Sequence, residues 1–277
     1  MVNIEFLKNK ATDIRIDVLK MVYEAKTGHT GSSLSDTDIL TVLYYDILNV
    51  DAKNPKWENR DRFILSKGHA VESLYCILAD KGFFPKEKLQ TYCKFGTSLI
   101  GHPNNKNPGV EMNSGALGHG LPIAVGMALA AKMNKRSYKV YTLMGDGEQA
   151  EGSVWEGAMA ASNFNLDNLV AIIDRNKLQI SGSTEDVMKL ENLEDKWKSF
   201  GWNVIPVNGN DVEQLQRVLK NIPKDNKPTL IMAYTTKGKG VSFMENVAKW
   251  HHGVPSYIEM KIALEELNKQ IGGMIYE

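Results

Sequence analysis

Two continuous apolar runs, Val140–Met144 and Leu169–Ile173, constrain this chain more than anything else in it. Each has strand length and is apolar at nearly every position, the pattern of a strand buried on both faces of a parallel sheet. An Ala-rich stretch of helical character, GSVWEGAMAASN, lies between them. Strand, helix and strand in that order form a right-handed β-α-β unit, whose strands are neighbours or near neighbours. Their carboxyl ends then open on one edge. The first run ends in Gly145-Asp146-Gly147 and the second in Asp174-Arg175-Asn176, so Asp146 and Asn176 converge there although they lie far apart along the chain. Two hard oxygen donors beside a glycine turn suit a Mg2+ ion carrying a diphosphate. A lone Gly-Asp-Gly is an ordinary turn; the spaced asparagine and the flanking strands give it meaning.

The rest of the chain supplies a sheet and its cover. Apolar residues at helical spacing from Ile4 to Ala25 predict an amphipathic helix that ends at Thr27-Gly28. His29-Thr30-Gly31-Ser32-Ser33 is expected to be a small-residue loop, and Ser35-x-x-Asp38 a capping-box-like start to a helix over Asp36–Leu48. Arg62–Ser66 reads as a buried strand, followed by a helix over Ala70–Ala79. Short or regular helices are expected over Pro85–Tyr92, Pro122–Lys132, Glu194–Phe200, Val212–Leu219 and Ser256–Gln270, the last followed by Ile271-Gly272-Gly273. Asn203–Val207 and Thr229–Thr235 read as strands, and Ser183–Glu191 as a polar loop. The prediction is a doubly wound, mostly parallel α/β fold over residues 1–277, without repeat or linker.

Charge excludes some functions. With 33 basic and 33 acidic residues the formal net charge is zero, unlike a protein held to nucleic acid by many phosphate contacts. No apolar run reaches membrane-spanning length, and the start MVNIEFLKNKATDIRID is charged throughout and lacks the apolar core of a secretion signal. Cytoplasmic location is expected. Cys76 and Cys93 have no metal-ligand or redox spacing, and buried, reduced thiols are expected. Lys237-Gly238-Lys239-Gly240 looks like a phosphate loop but lacks Walker spacing.

Gly145-Asp146-Gly147 with Asp174-Arg175-Asn176 resembles the thiamine diphosphate signature. Glu151-Gly152-Ser153-Val154-Trp155-Glu156 resembles the transketolase form of it. The likeness continues through Thr27-Gly28-His29, Ser66-Lys67-Gly68-His69, Gly101-His102-Pro103, Ser114-Gly115-Ala116-Leu117-Gly118 and His252-Gly253, covering nearly the whole chain in order. Transketolases commonly have glutamine where His119 stands, which leaves the role of that histidine open.

The resemblance implies thiamine diphosphate and Mg2+ as cofactors. Asp146, Asn176 and the Leu178 carbonyl would be the metal's protein ligands, with Gly147, His69 and His252 on the diphosphate. Gly115 and Gly145 belong to the cofactor-binding loops, and Leu117 would wall the thiazolium ring. His29 and His252 would assist proton transfers at the substrate oxygens, and His102 would hold the donor's first hydroxyl. Of the adjacent pair, His252 is expected in the site and His251 in a structural role, because neighbours in an extended segment point opposite ways. Family members continue into a pyrimidine-binding domain that supplies an activating glutamate, whereas this chain stops at Glu277. The chain thus resembles the amino-terminal subunit of a split transketolase, joining a carboxy-terminal partner in an α2β2 assembly. Glu151 and Glu156 would meet the partner's glutamate, and Glu151 would also border the cofactor. The reaction implied is transfer of a two-carbon ketol unit between sugar phosphates, as in the pentose phosphate pathway. A modified sugar substrate and a non-catalytic regulatory homologue are the alternatives.

Overall fold

In the computed structural model, which describes residues 2–271, five parallel strands form the central sheet. They are β1 (Arg62–Leu65), β2 (Val140–Gly145), β3 (Leu169–Arg175), β6 (Asn203–Asn208) and β7 (Thr229–Tyr234), in the order β1-β2-β3-β7-β6. A two-residue hairpin, β4 (Leu178–Gln179) and β5 (Gly182–Ser183), stands apart from it. β2 and β3 pair in register from Val140↔Leu169 to Gly145↔Asp174, which sets the Gly-Asp-Gly turn beside the Asp-Arg-Asn segment.

Helices cover both faces, because alternate side chains of each buried strand enter different cores. Phe63, Leu65, Tyr141, Leu143, Val170, Ile172 and Ile231 pack on one side with α1 (Ile4–Ala25), α2 (Thr30–Val42) and α3 (Val71–Asp80). Ile64, Val140, Met144, Leu169, Ala171, Ile173 and Leu230 pack on the other with α4 (Gly120–Met133), α5 (Gly152–Asn163) and Trp197. α6 (Thr184–Val187), α7 (Leu193–Ser199), α8 (Val212–Lys220) and α9 (Tyr257–Gln270) complete the helices of the described residues. This is the doubly wound α/β arrangement the apolar runs predict.

Several local expectations need correction. The stretch from Thr30 to Ser33 is helical, not a loop, and α2 starts six residues earlier than expected. Ser35 does not cap it. All 13 residues of α2 are buried, and the polar ones serve distant partners: Ser35 Oγ donates to Asp174 at 2.6 Å and Asp38 accepts from Arg15. Beyond Val42 the chain continues as a π-turn over Leu43–Ile47. Pro85–Tyr92 contains a 3₁₀ helix, Lys86–Thr91, and the expected loop Ser183–Glu191 contains β5 and α6. Cys76 is buried, but Cys93 is exposed. α9 has the full capping box, Ser256 with Glu259; Gly272-Gly273 lies outside the described residues.

Candidate functional site

At the carboxyl edge of β2 and β3 lies a cavity of about 400 Å3. It gathers ten of the expected residues: His29, His69, His102, Gly115, Leu117, Gly145, Asp146, Gly147, Asn176 and Leu178. A larger groove of about 550 Å3 between α1 and the 86–91 turn is lined by mixed charges, Asp17, Lys20, Glu24 and Lys86 among them, and contains none of these residues.

Loop contacts fix the geometry. Glu148, directly after the Gly-Asp-Gly turn, is buried and accepts from Ser66 Oγ, from Gly118 N at 2.8 Å and from Gly145 N at 3.0 Å, tying two other loops to the end of β2. Gln149 donates to the Gly145 carbonyl at 3.0 Å and accepts from the Trp197 indole at 3.2 Å, tying the turn to α7. Gly115, at φ +142°, passes so close to the His102 ring that a Cβ would lie 2.6 Å from it; only glycine fits both the angle and the space.

Asp146 Oδ1 accepts from Gly147 N at 2.8 Å, and Oδ2 from Arg175 Nη1 at 3.3 Å and from Lys177 N. Burial and nearby Asp174 push its pKa up to about 6, so this carboxylate gains from a further cation. Asn176 and Leu178 line the same cavity, and the Asn176 side-chain oxygen accepts from Leu178 N at 3.1 Å. One carboxylate, one amide and one carbonyl leave room for phosphate oxygens and water, as Mg2+ prefers.

Two buried lysines face the same space. Lys67 pairs with Asp36 at 3.1 Å and with Asp174, which also accepts from Ser35 and Thr235. These carboxylates hold the Lys67 ammonium charged despite burial, and Asp174 stays ionised. Lys237 is different. It is 1% exposed and donates to a hydroxyl, Ser32 Oγ, at 3.0 Å; burial, then Lys67, lowers its pKa to about 8. An ammonium buried beside another cation without a carboxylate on it fits an anionic ligand. Among the described residues, the Nδ1 atoms of His29 and His251 are likewise buried without hydrogen-bond partners. The donor set and these orphaned atoms fit a metal-bound diphosphate.

Four of the other five histidines surround His29, with ring centroids at 5.5 Å for His69, 5.9 Å for His102, 5.8 Å for His251 and 4.8 Å for His252. Glu72, wholly buried, accepts from His29 N at 2.7 Å, Ser33 Oγ at 2.7 Å and Tyr92 OH at 2.8 Å, which fixes the start of α2. Burial, then His252, His102 and Lys237, lowers the His29 pKa to about 4. His29 is therefore a neutral donor and acceptor at pH 7, rather than a group titrating near working pH as imidazole alone suggests.

Both members of the adjacent pair come to the cavity's edge. Both lie in a 3₁₀ helix, Ala248–His252, where successive side chains stand about 120° apart instead of opposite. His251 lines the cavity, whereas His252 flanks it through His29 and Thr27, with Nε2 3.4 Å from Thr27 Oγ1. Glu151 and Glu156 do not line it; both are exposed on α5 and its N-cap. His119 is exposed before α4, its Nδ1 3.1 Å from the Leu117 carbonyl. Sequence reasoning misses Ser32, Glu148 and Lys237, gives His251 a structural role, and gives Lys67 and Asp174 no role beyond their motifs. The signal for Lys237 is present in the Lys-Gly-Lys-Gly run, which fails only as a Walker loop.

The family model described as "Transketolase, thiamine diphosphate binding domain" matches residues 7–268. The chain is 52% identical to an apulose-4-phosphate transketolase subunit of Phocaeicola vulgatus, over 97% of this chain and 96% of that one. It is 41% identical to the 6-deoxy-6-sulfo-D-fructose transketolase subunit SqwG of Clostridium sp. (strain MSTE9), over 95% and 97%. Among solved structures, transketolase from Campylobacter jejuni superposes with a TM-score of 0.92 at 35% identity. That match covers 96% of this chain but 43% of the other, so the chain spans less than half of that transketolase. The sequence signature, the cavity and these likenesses agree: the chain belongs to the transketolase family, as its amino-terminal thiamine diphosphate-binding domain.

Proposed function

We propose that this chain is the amino-terminal subunit of a two-chain transketolase. It holds the Mg2+-diphosphate end of thiamine diphosphate and transfers a two-carbon ketol unit only with a pyrimidine-binding partner. The observation that carries this reading is the meeting of Asp146, Asn176 and Leu178 with the buried Lys237 in one cavity. Asp146, the Asn176 oxygen and the Leu178 carbonyl would hold the metal; Lys237, His69 and Gly147 N–H would face the diphosphate. When bound, the cofactor supplies the nucleophilic carbon and the electron sink that carbon-carbon cleavage needs.

The chain's own groups do the rest. His29 and His102, which line the cavity, would bind and orient ketose oxygens, with neutral His29 able to accept a proton from a substrate hydroxyl. His252, packed on His29, would assist at the same oxygens. Leu117 would exclude water beside the reacting ring. Exposed Glu151 and Glu156, with exposed Ile123 and Met159 on α4 and α5, would form part of the partner contact in an α2β2 assembly.

A modified sugar as substrate is favoured by two relatives whose names specify apulose 4-phosphate and 6-deoxy-6-sulfo-D-fructose. The test is to mix the chain with the product of an adjacent reading frame, Mg2+ and thiamine diphosphate, and assay ketol transfer from a panel containing both sugars. Activity confined to the mixture, and lost with Asp146→Ala, supports the reading. Full activity without a partner, or an undiminished Asp146→Ala enzyme, contradicts it.

A further inference from the structure

Among the described residues, Glu72 on α3 is fully buried without a lysine or arginine to pair with. Its oxygens accept instead from a main-chain N–H and two hydroxyls, those of His29, Ser33 and Tyr92. A buried acid held by neutral donors acts strongly on any polar group beside it, because little water screens it. That group is the His29 ring. Its Nδ1 lies 4.0 Å from Glu72 Oε1, too far for a hydrogen bond but within reach of the oxygen's charge.

The approach is built into the backbone. At Gly28, directly before the histidine, a Cβ would lie 2.9 Å from Glu72 Oε1 and 2.6 Å from the Val22 side chain, so any larger residue would force the carboxylate away. Further along α3, Tyr75 donates to the His102 carbonyl at 2.9 Å. One helix thus places both imidazoles assigned to the substrate, whose ring centroids are 5.9 Å apart.

The two nitrogens of the His29 ring have different surroundings. Nδ1 is sealed in without a hydrogen-bond partner; Nε2 is not sealed, and the residue lines the cavity. A neutral imidazole carries a proton on one nitrogen and a lone pair on the other. On Nδ1 a proton faces the Glu72 oxygen with attraction, whereas a lone pair would face it with repulsion. Nε2 is then bare, in a cavity that Lys67 and Lys237 also line, and their positive charge favours a lone pair over an N–H. With the pKa of His29 lowered to about 4, first by burial and then by His252, His102 and Lys237, the ring is neutral at pH 7 and only its tautomer is left to be set.

We propose that Glu72 is a positioning residue that selects the Nδ1–H tautomer of His29, leaving Nε2 to accept a proton from a bound ketose hydroxyl. In that step the proton passes from the hydroxyl oxygen to Nε2, and the imidazolium formed keeps its Nδ1–H toward the Glu72 carboxylate. This rests on the reading of the cavity as cofactor and substrate site, and the two can fail separately.

The probe is the full chain labelled with 15N-histidine, read at pH 7 by long-range 1H–15N correlation, which tells the two tautomers apart; His29→Asn identifies the signal. The expected wild-type result is a proton on Nδ1 and a bare Nε2. Glu72→Gln keeps the size, removes the charge and can turn an NH2 toward the ring, so about half or more of the molecules should move the proton to Nε2. Tyr92→Phe keeps the carboxylate and should leave the tautomer as it is. In the two-chain enzyme Glu72→Gln should lower kcat about tenfold or more, while calorimetric affinity of the chain for Mg2+-pyrophosphate stays within about twofold. A wild-type His29 protonated on Nε2 would overturn the inference without any variant. So would an unchanged tautomer in Glu72→Gln, or a changed tautomer with kcat unaltered. Failure of the wild-type chain to bind Mg2+-pyrophosphate would instead overturn the cavity reading.

Discussion

Lys237 donates its buried ammonium to the hydroxyl of Ser32, at 3.0 Å, and not to a carboxylate. Burial and Lys67 have already lowered its pKa to about 8. Binding of an anion would raise that pKa again, so proton uptake accompanies binding wherever the free chain has lost the proton. Affinity for Mg2+-pyrophosphate should be full near pH 7, where Asp146 is ionised and Lys237 protonated, and fall as pH rises above 8, by up to about tenfold per pH unit. Lys237→Met should weaken binding by about 10- to 100-fold at pH 7 and abolish this alkaline decline. Calorimetry at pH 7, 8 and 9 measures both effects; a decline that persists in Lys237→Met would assign it elsewhere.

Asp146 carries the metal hypothesis. Asp146→Ala removes the carboxylate that burial and Asp174 hold near pKa 6. Arg175 keeps its pairs with Glu185 at 3.0 Å and Glu191 at 2.6 Å, so the neighbouring segment stays anchored. Thiamine diphosphate affinity in the presence of Mg2+ should fall about 100-fold or more, since outer-shell changes alone cost 10- to 100-fold. Chelation of Mg2+ should weaken the wild-type chain equally and leave the variant unaffected. Retained metal dependence in Asp146→Ala would exclude it as a ligand.

Glu148 ties two loops to the end of β2, and Glu148→Gln tests that directly. Its carboxylate receives only donors, from Ser66, Gly118 and Gly145. An amide of the same size must turn an NH2 group toward one of them. About 2–3 kcal/mol of stability should be lost, lowering the melting temperature by roughly 4–12 °C. Differential scanning calorimetry reads this, and an unchanged melt would mean that these segments hold their places without the carboxylate.

Acid should destabilise the chain through the histidine cluster. The pKa of His29 is lowered to about 4 and that of His251 to about 3, while His69 is also well below the usual imidazole value. Between those values and the unfolded value near 6.5, the unfolded chain binds more protons than the folded one. Stability from these groups is present above pH 6.5 and is lost as pH falls toward 4. Urea midpoints from pH 7 to pH 4.5 should decline, and less steeply in His29→Asn. Parallel declines in the two proteins would remove His29 from the account.

The central unit is legible in the sequence because its chemistry is repeated at every position. Val140–Met144 and Leu169–Ile173 are apolar on both faces, which leaves little but a covered parallel strand, and their register sets Asp146 beside β3. α2 is harder to read for the opposite reason. It is buried all round, so it has no polar stripe, and its serines and aspartates look like caps and loops while they bind Arg15, Lys67 and Asp174.

Lys237 and His251 share a different difficulty. Nothing in a run of lysines and glycines tells which lysine is buried, and two adjacent histidines cannot be ordered without knowing that the backbone is a 3₁₀ turn. Cys93 is expected inside only because thiols usually are; it lies at φ +54° beside an exposed turn.

The most direct test of the central claim is a crystal structure of the chain with thiamine diphosphate and Mn2+ in place of Mg2+. The account predicts one anomalous peak within bonding distance of the Asp146 carboxylate, the Asn176 side-chain oxygen and the Leu178 carbonyl, with diphosphate oxygens on the metal and facing Lys237. A manganese ion bound elsewhere, or a diphosphate lying outside this cavity, would contradict it.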